Sequence, residues 1–126
     1  MNSPLPAAVA EHIAAVNAHD TDRIMATFHT DALVNDARRE FWGSEQIRQW
    51  VAGEIVGDRV TMQPVQVLMH NGFVLVRARY DGEYDKTNLP PELVLTNYFA
   101  MRDDRIDALI VVHNQAEVAA LPETTA

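Results

Sequence analysis

The 126-residue sequence contains no cysteine, which excludes disulfides, thiol nucleophiles and thiolate metal sites. It also lacks any run of about 20 apolar residues, the length needed to cross a bilayer. Basic residues are few: 10 Lys and Arg stand against 18 Asp and Glu, for a net charge of -8. Because such a surface repels phosphate groups, we expect neither nucleic acid nor a membrane as a partner.

Familiar catalytic and cofactor motifs are missing as well. The sequence has no glycine-rich phosphate loop, no GxSxG nucleophile elbow and no HExxH zinc motif. Its five histidines show no spacing typical of metal ligands. We therefore expect neither a cofactor nor a metal ion. The first residues lack the basic segment and apolar run of a secretion signal, so the expected location is cytoplasmic.

The composition that is present is typical of a folded globular chain. Hydrophobic residues make up 48% of the sequence and charged residues 22%. A chain of this length can bury one substantial core. We expect a single domain over residues 1–126, with its core from about residue 7 to residue 114 and flexible tails.

Apolar periodicity predicts helices in the first part of the chain. Val9, Ile13 and Val16 recur at spacings of four and three, which predicts a helix from residue 7 to about residue 18. Asp20 is a good N-cap for a second, short helix. A short strand and a third helix should follow, and Gly57 should end that helix in a left-handed conformation.

After residue 59 the apolar period changes to two, which is typical of strands. Asn71-Gly72 and Asp103-Asp104 mark the turns of two long hairpins. Pro64 should mark a bulge or an edge strand. Helices followed by a long meander predict an α+β domain, in which a curved, cone-shaped, mixed or antiparallel sheet wraps around the N-terminal helices.

Asp36 is the first candidate for chemistry. It follows Leu33 and Val34, which are typical of a buried strand, in the stretch LVNDARREFWG. Its carboxylate either faces water, paired with Arg38 or Arg39, or lies inside a cavity, where it could accept a proton. The residues alone leave both interpretations open.

Three further polar residues stand among apolar neighbours. Asn97 lies mid-strand in LVLTNYFAM, where it is either a satisfied core amide or a donor inside a pocket. His12 lies at the margin of the first helix's apolar stripe. His113 shares the strand parity of Leu109 and Val111. Each histidine is either a packed core residue or a pocket residue.

Two segments carry a resemblance to a known superfamily, HIAAVNAHDTDRIMATFHTDALVND and the following GSEQIRQWV. They resemble the nuclear transport factor 2-like superfamily, most closely its SnoaL-like polyketide cyclase and ketosteroid isomerase branch. The resemblance extends from about residue 8 to residue 114. It implies an α+β barrel with a conical hydrophobic pocket, and a homodimer formed through the outer face of the sheet.

The resemblance also implies roles for four residues. In the ketosteroid isomerases the aspartate matching Asp36 is the general base. A tyrosine and a protonated aspartate form the oxyanion hole there, and their positions fall on His12 and Asn97. His113 falls on a position that lines the pocket. Both replacements can still donate hydrogen bonds, but because both donors differ, the resemblance does not extend to steroid isomerisation itself.

The resulting hypothesis is a small cofactor-independent enzyme that isomerises, cyclises by an aldol-type step, or dehydrates a hydrophobic carbonyl compound. Asp36 would move the proton, and Asn97 and His12 would hold the oxyanion. Large apolar residues of this kind belong to a core more often than to a binding site, but those expected to line the pocket are Trp50, Phe99, Met101, Leu109 and Val111.

Two alternatives stay open. The chain could be a non-catalytic module of the same fold that binds a small ligand or another protein, and an ion pair between Asp36 and Arg38 or Arg39 in a blocked hollow would favour this function. Epoxide hydrolysis occurs in another branch of the superfamily. It needs more than one carboxylate and an arginine in the pocket, and the sequence places only Asp36 there.

Overall fold

The computed structural model of the chain describes residues 4–113. The helices in this range are α1 (Ala7–Asn17), α2 (Thr21–Ala26) and α3 (Gly43–Trp50), and α3 continues directly into a π-helical segment, Val51–Val56. The strands are β1 (Phe28–Asp36), β2 (Arg39–Trp42), β3 (Thr61–His70), β4 (Phe73–Asp81), β5 (Leu93–Arg102) and β6 (Arg105–His113). The predicted tails, outside this range, are not described.

The strands form one six-stranded sheet in the order β2-β1-β6-β5-β4-β3. All neighbouring strands pair antiparallel except β1 and β6, which run parallel. The sheet is curved and unclosed, and the helices pack on one face. This confirms the predicted α+β fold with a mixed sheet. No helix of the described range is long and apolar enough to cross a membrane.

Local signals placed several elements correctly. Asn71 and Gly72 have φ angles of 50° and 84°, and Asp103 and Asp104 have 52° and 64°, as two-residue hairpin turns require. Pro64 adjoins a bulge in β3, which is also an edge strand. The Asp20 carboxylate caps α2 by accepting a hydrogen bond from the Arg23 N–H at 3.1 Å.

The end of the third helix differs from the prediction. Gly57 has φ -59°, so it is not a left-handed cap. The residue with positive φ is Arg59, at 51°. A Cβ atom at Gly57 would collide with the carbonyl group of Gly53. Glycine is therefore required here by the close approach of two backbone segments rather than by its freedom to adopt positive φ.

Candidate functional site

One row of residues crosses the sheet through the middle of its helix-covered face. Asp36 on β1 pairs with Val111 on β6, Val111 pairs with Asn97 on β5, and Asn97 pairs with Val76 on β4. Val111, Asn97 and Val76 are all buried. Neighbouring strands lie about 5 Å apart, so the row brings Asp36 and Asn97 to within about 10 Å of each other along the sheet.

A cavity of about 200 Å³ opens above this row. It is lined by His12, Val16, Ile24, Asp36, Trp50, Glu54, Ile55, Asp58, Val60, Met62, Tyr80, Tyr84, Leu89, Leu93, Leu95, Asn97, Leu109, Val111 and His113. The four polar residues singled out in the sequence thus meet in one hollow. Most of the remaining lining is apolar.

Of the five apolar residues expected to line the pocket, the structure brings three to it: Trp50, Leu109 and Val111. Phe99 is not part of the lining; it is fully buried in the core, with its ring 5.5 Å from the His12 ring. Met101 is not part of the lining either, and packs against the core near the end of β5. The strand alternation placed both on the inner face, but the cavity does not extend that far along β5.

Asp36 lies in the cavity wall and is also ion-paired. Its side chain is 18% exposed. Its Oδ2 atom accepts hydrogen bonds from Trp50 Nε1 at 3.1 Å and from the Arg39 guanidinium at 2.9 Å. Its Oδ1 atom has no hydrogen-bonding partner among residues 4–113. The two interpretations of Asp36 therefore both apply, since one oxygen is anchored and the other remains available to the cavity.

The pairing of Asp36 with Arg39 follows from a tight turn. Ala37 and Arg38 both have positive φ, 52° and 76°, and place Asp36 directly opposite Arg39 in the β1–β2 hairpin. The Arg39 guanidinium also makes two hydrogen bonds to Glu54, at 2.7 and 2.8 Å. The Glu54 carboxylate, more than the Asp36 carboxylate, raises the pKa of Arg39. Asp36, Arg39 and Glu54 form a unit that we name the Arg39 cluster.

Asn97 is 1% exposed, and both ends of its amide are hydrogen-bonded by neighbours. Its Nδ2 donates to the Val76 carbonyl at 3.2 Å, and its Oδ1 accepts a hydrogen bond from the Tyr80 hydroxyl at 2.8 Å. Because a carbonyl can only accept, the Val76 contact fixes which end of the amide is the nitrogen. Asn97 consequently holds the phenol in place, a different hydrogen bond from the one an oxyanion donor would make.

Tyr80 was not singled out in the sequence, although its parity was visible. It alternates with Arg77 and Arg79, whose side chains face solvent, so Tyr80 shares the inward direction of Val76 and Ala78. Burial is the main cause that raises the pKa of Tyr80, and the nearby Asp36 carboxylate adds to it. The phenol therefore stays neutral inside the cavity.

His12 is 4% exposed, on the inner side of α1. Thr27 donates its hydroxyl proton to the Ile24 carbonyl at 2.6 Å. The 3.2 Å contact between Thr27 Oγ1 and His12 Nδ1 must then use a proton on Nδ1. Burial lowers the pKa of His12 to about 4, so the ring is neutral at physiological pH and Nε2 carries a lone pair.

Two carboxylates of the lining come from a region whose structure the sequence did not signal. Glu54 lies in the π-helical segment and Asp58 just after it. The 3.6-residue period of an α-helix does not describe a π-helix. The apolar pattern therefore could not predict the directions of these side chains. Within the described residues, no group of three or more histidine, aspartate or glutamate side chains could hold a metal ion.

Solved structures with the same fold support the assignment of this architecture. A candidate polyketide cyclase from Sinorhizobium meliloti is 27% identical, with a TM-score of 0.76 over 85% of this chain and 94% of that one. A Catenulispora acidiphila protein with a ketosteroid isomerase-like fold, solved in complex with trimethylamine, is 21% identical, with a TM-score of 0.74 over 94% of this chain and 96% of that one.

SalBIII, an epoxide hydrolase/cyclase-like enzyme of pyran ring formation in salinomycin, is 21% identical, with a TM-score of 0.75 over 86% of this chain and 88% of that one. At these identities the last two show the fold alone. No curated protein matches the sequence at a significant level. Residues 9–109 match the family of SnoaL-like domains. The chain therefore belongs to the SnoaL-like family of the nuclear transport factor 2-like superfamily.

Proposed function

We propose that the chain is a small cofactor-independent enzyme of the cyclase or isomerase type, in which Asp36 moves a proton on a compact hydrophobic carbonyl compound. One observation carries this proposal. The Asp36 carboxylate is mostly buried in the wall of a largely apolar cavity, with Oδ2 anchored by Trp50 and Arg39 and Oδ1 without a partner in residues 4–113. A carboxylate held this way is a positioned proton acceptor.

The proposed step uses Oδ1 as the base. It takes a proton from the carbon next to the carbonyl, the C–H electron pair moves into the carbon–carbon bond, and the carbonyl oxygen gains the negative charge. Return of the proton to another carbon completes an isomerisation. Attack of the same carbon on a second carbonyl gives aldol-type closure, and delivery of the proton to a departing hydroxyl gives dehydration.

The oxyanion roles expected for Asn97 and His12 fit their hydrogen bonds poorly. One of the two Asn97 Nδ2 protons already goes to the Val76 carbonyl, and the proton of His12 lies on Nδ1, toward Thr27. Tyr84 and His113 line the same cavity and carry groups that can donate. We assign the stabilisation of the developing charge to these two residues rather than to Asn97 and His12.

Opening of an epoxide by water is a second candidate function, and the Arg39 cluster favours it. Two carboxylates of the cavity lining, Asp36 and Glu54, are bridged by one guanidinium. The sequence supplied only Asp36 to the pocket; it left open an ion pair of Asp36 with Arg38 or Arg39, and it gave no reason to place Glu54 there. Here Asp36 would take a proton from water as the water oxygen bonds to an epoxide carbon; the ring C–O bond breaks, and the resulting alkoxide takes a proton from solvent. The fold shared with SalBIII is compatible with this reaction.

A non-catalytic ligand-binding role is the remaining alternative. The ion pair that would favour it is present, but the hollow is open, and Asp36 Oδ1 is not blocked by Arg39. For these two reasons we favour chemistry at Asp36 over simple ligand capture.

Deuterium exchange tests the proposed function without knowledge of the natural substrate. Compact cyclic ketones are incubated with the protein in D2O, and exchange at the carbon next to the carbonyl is followed by NMR. We expect Asp36→Asn to slow the catalysed exchange by about 100-fold or more, the range supplied by a general base. Asp31→Asn is the matched control, since Asp31 also lies on β1 and pairs with an arginine but is 76% exposed.

A second substrate separates proton transfer from epoxide opening. Hydrolysis of cyclohexene oxide that depends on Asp36 and Glu54, without ketone exchange, would replace proton transfer by epoxide opening. Unchanged ketone exchange in Asp36→Asn would refute the role of Asp36 as the base.

We also propose that the protein is a homodimer formed through the outer face of the sheet. Leu68, Leu75, Tyr98 and Ile110 make one row across β3, β4, β5 and β6 on this face. Leu68, Tyr98 and Ile110 are substantially exposed in the single chain. A row of exposed apolar residues is typical of a protein interface. Light scattering should give about twice 14.1 kDa, and Tyr98→Lys should reduce it toward the mass of one chain.

A further inference from the structure

We propose that His12 and Tyr80 make this cavity bind a hydrogen-bond donor of the ligand, a hydroxyl or an ammonium group, carried by a compact and otherwise apolar molecule. This inference takes the cavity of the proposed function as the substrate site and names the class of substrate it accepts: a hydroxy- or amino-substituted carbonyl compound. It rests on the directions of four hydrogen bonds around His12 and Tyr80.

The first acceptor is Nε2 of His12. The bond from Thr27 to the Ile24 carbonyl uses the only hydroxyl proton of Thr27, so the ring proton of His12 must lie on Nδ1. Nε2 has no partner among residues 4–113, whereas every fully buried side-chain nitrogen or oxygen in that range has one, so Nε2 is itself accessible. Since His12 is part of the cavity lining, Nε2 presents its lone pair to the cavity.

The second acceptor is the Tyr80 oxygen. Its proton is committed to Asn97 Oδ1, because Asn97 Nδ2 is turned toward the Val76 carbonyl. Reversing this amide would bring its oxygen against the Val76 carbonyl oxygen and leave both without a donor, which is costly in a buried site. The Tyr80 hydroxyl is therefore fixed as a donor to the protein, and only its lone pairs can meet a ligand.

Three carboxylates of the cavity lining add further acceptors. Asp36 Oδ1 is available, and Glu54 and Asp58 contribute carboxylates to the same cavity. Among the described residues, Arg39 is the only cation that forms ion pairs with these carboxylates, and it pairs with Asp36 and Glu54. Beside His12, Tyr80 and Asp36, a ligand oxygen carrying negative charge would face lone pairs and a carboxylate, whereas a hydroxyl or ammonium group would satisfy them.

The size of the cavity limits the rest of the molecule. Its volume of about 200 Å³ is below the roughly 300–1,000 Å³ typical of sites for drug-sized ligands. Val16, Ile24, Leu95 and Leu109 supply apolar walls. The fitting ligand is therefore a single small ring or short chain with one donor group.

A series of ligands with one ring and four different head groups tests the inference. Cyclohexanol, cyclohexylamine, cyclohexanone and cyclohexanecarboxylate are titrated into isotopically labelled protein, and dissociation constants are taken from amide shifts. We expect the alcohol or the amine to bind about tenfold more tightly than the ketone and the carboxylate. Tighter, salt-sensitive binding of the amine identifies an ammonium group, and tighter, salt-insensitive binding of the alcohol identifies a hydroxyl. Tighter binding of the ketone or carboxylate overturns the inference.

Two further measurements examine the acceptors directly. Nitrogen-15 shifts of the His12 ring distinguish the tautomers, and we expect Nδ1 to be protonated and Nε2 to respond to the bound donor. A protonated Nε2 in the free protein overturns the inference. Tyr80→Phe should weaken the alcohol or amine severalfold, whereas Tyr98→Phe on the outer face should not. Equal effects of the two substitutions also overturn it.

The ligand series is repeated with Asp36→Asn to separate this inference from the proposed function. If the preference for donors persists in this variant while wild-type exchange activity is absent, the proposed function fails and the inference stands. If the ketone binds best to both proteins while Asp36→Asn abolishes exchange, the inference fails and the proposed function stands.

Discussion

Arg39 and Arg102 each bridge two carboxylates, and in both clusters one carboxylate belongs to β1. Arg102 bonds to Asp31 at 2.6 Å and to Asp107 at 2.9 Å; we name these three residues the Arg102 cluster. The two arginines are similarly exposed, at 51% and 43%. Their β1 partners differ sharply, because Asp36 is 18% exposed and Asp31 is 76% exposed.

This contrast shows that an ion pair does not by itself decide what an aspartate can do. The Arg102 cluster is surrounded by water, where such pairs contribute little to stability. The Arg39 cluster has the same chemistry, but the cavity and the Trp50 indole enclose one of its carboxylates. What distinguishes the candidate base is its burial in a cavity wall, and the presence of a cationic neighbour is a weak criterion.

The largest expected effect is a loss of stability at acid pH, and it arises from a histidine of the cavity rather than from the surface ion pairs. The pKa of His12 is about 4 in the folded chain against an ordinary 6.5. The unfolded chain takes up a proton on His12 below pH 6.5 that the folded chain does not, so stability should fall as pH drops from 6.5 to 4, by about 3 kcal/mol. Urea unfolding across this range measures the slope.

His12→Phe should flatten that slope, and His70→Gln, at the exposed end of β3, should leave it unchanged. The Arg102 hydrogen bond holds the pKa of Asp31 below its ordinary 3.8, so that contribution is present above about pH 3.8 and is lost only at lower pH. An equal slope in His12→Phe and the wild type would show that burial of this histidine does not govern acid stability.

A second and somewhat smaller loss of stability is expected from a change in the backbone segment that carries Glu54. Gly57→Ala places a Cβ against the Gly53 carbonyl group, with the carbonyl carbon at 2.9 Å. The backbone must shift, and we expect a loss of about 2 kcal/mol in the free energy of unfolding. Gly53→Ala meets nothing within 4 Å, so it should be neutral or slightly stabilising. Thermal unfolding of the two variants compares them, and similar losses would argue against the predicted collision.

The smallest expected effect concerns the two arginines themselves. A double-mutant cycle with Arg39→Met and Asp36→Asn should give a coupling energy of about 1 kcal/mol, because Asp36 is partly desolvated. The matching cycle with Arg102→Met and Asp31→Asn should give a few tenths of a kcal/mol at most, and 1 M salt should remove it. Equal coupling energies in the two cycles would remove the distinction between the clusters.

Local rules carried most of the fold. The Asn71-Gly72 turn, the Asp20 cap and the Pro64 bulge each depend on neighbouring residues alone, and each was predicted. The parallel pairing of β1 with β6 joins segments about 75 residues apart and could not be derived in this way. The expectation was only that the sheet would be mixed or antiparallel, and this pairing was not predicted.

The sequence predicted which residues belong to the candidate site better than it predicted their hydrogen bonds. Strand parity and the resemblance together brought Asp36, Asn97, His12 and His113 to one cavity. The direction of each proton depended on partners that lie far away in the chain, such as Tyr80 for Asn97 and Thr27 for His12. The pairing of Asp36 with Arg39 also needed a left-handed turn at Ala37-Arg38, where no glycine signals it.

The side chains that the π-helical segment contributes to the cavity depend on the number of residues in that segment. A π-turn holds one residue more than an α-turn, since its hydrogen bond spans five residues instead of four. Loss of one residue between Val51 and Val56 would let α3 continue as a regular helix, and each residue along such a helix turns by about 100°. Glu54 would then leave Arg39 and another side chain would take its place. Insertions and deletions, as well as substitutions, can therefore change which groups a SnoaL-like domain presents to its ligand.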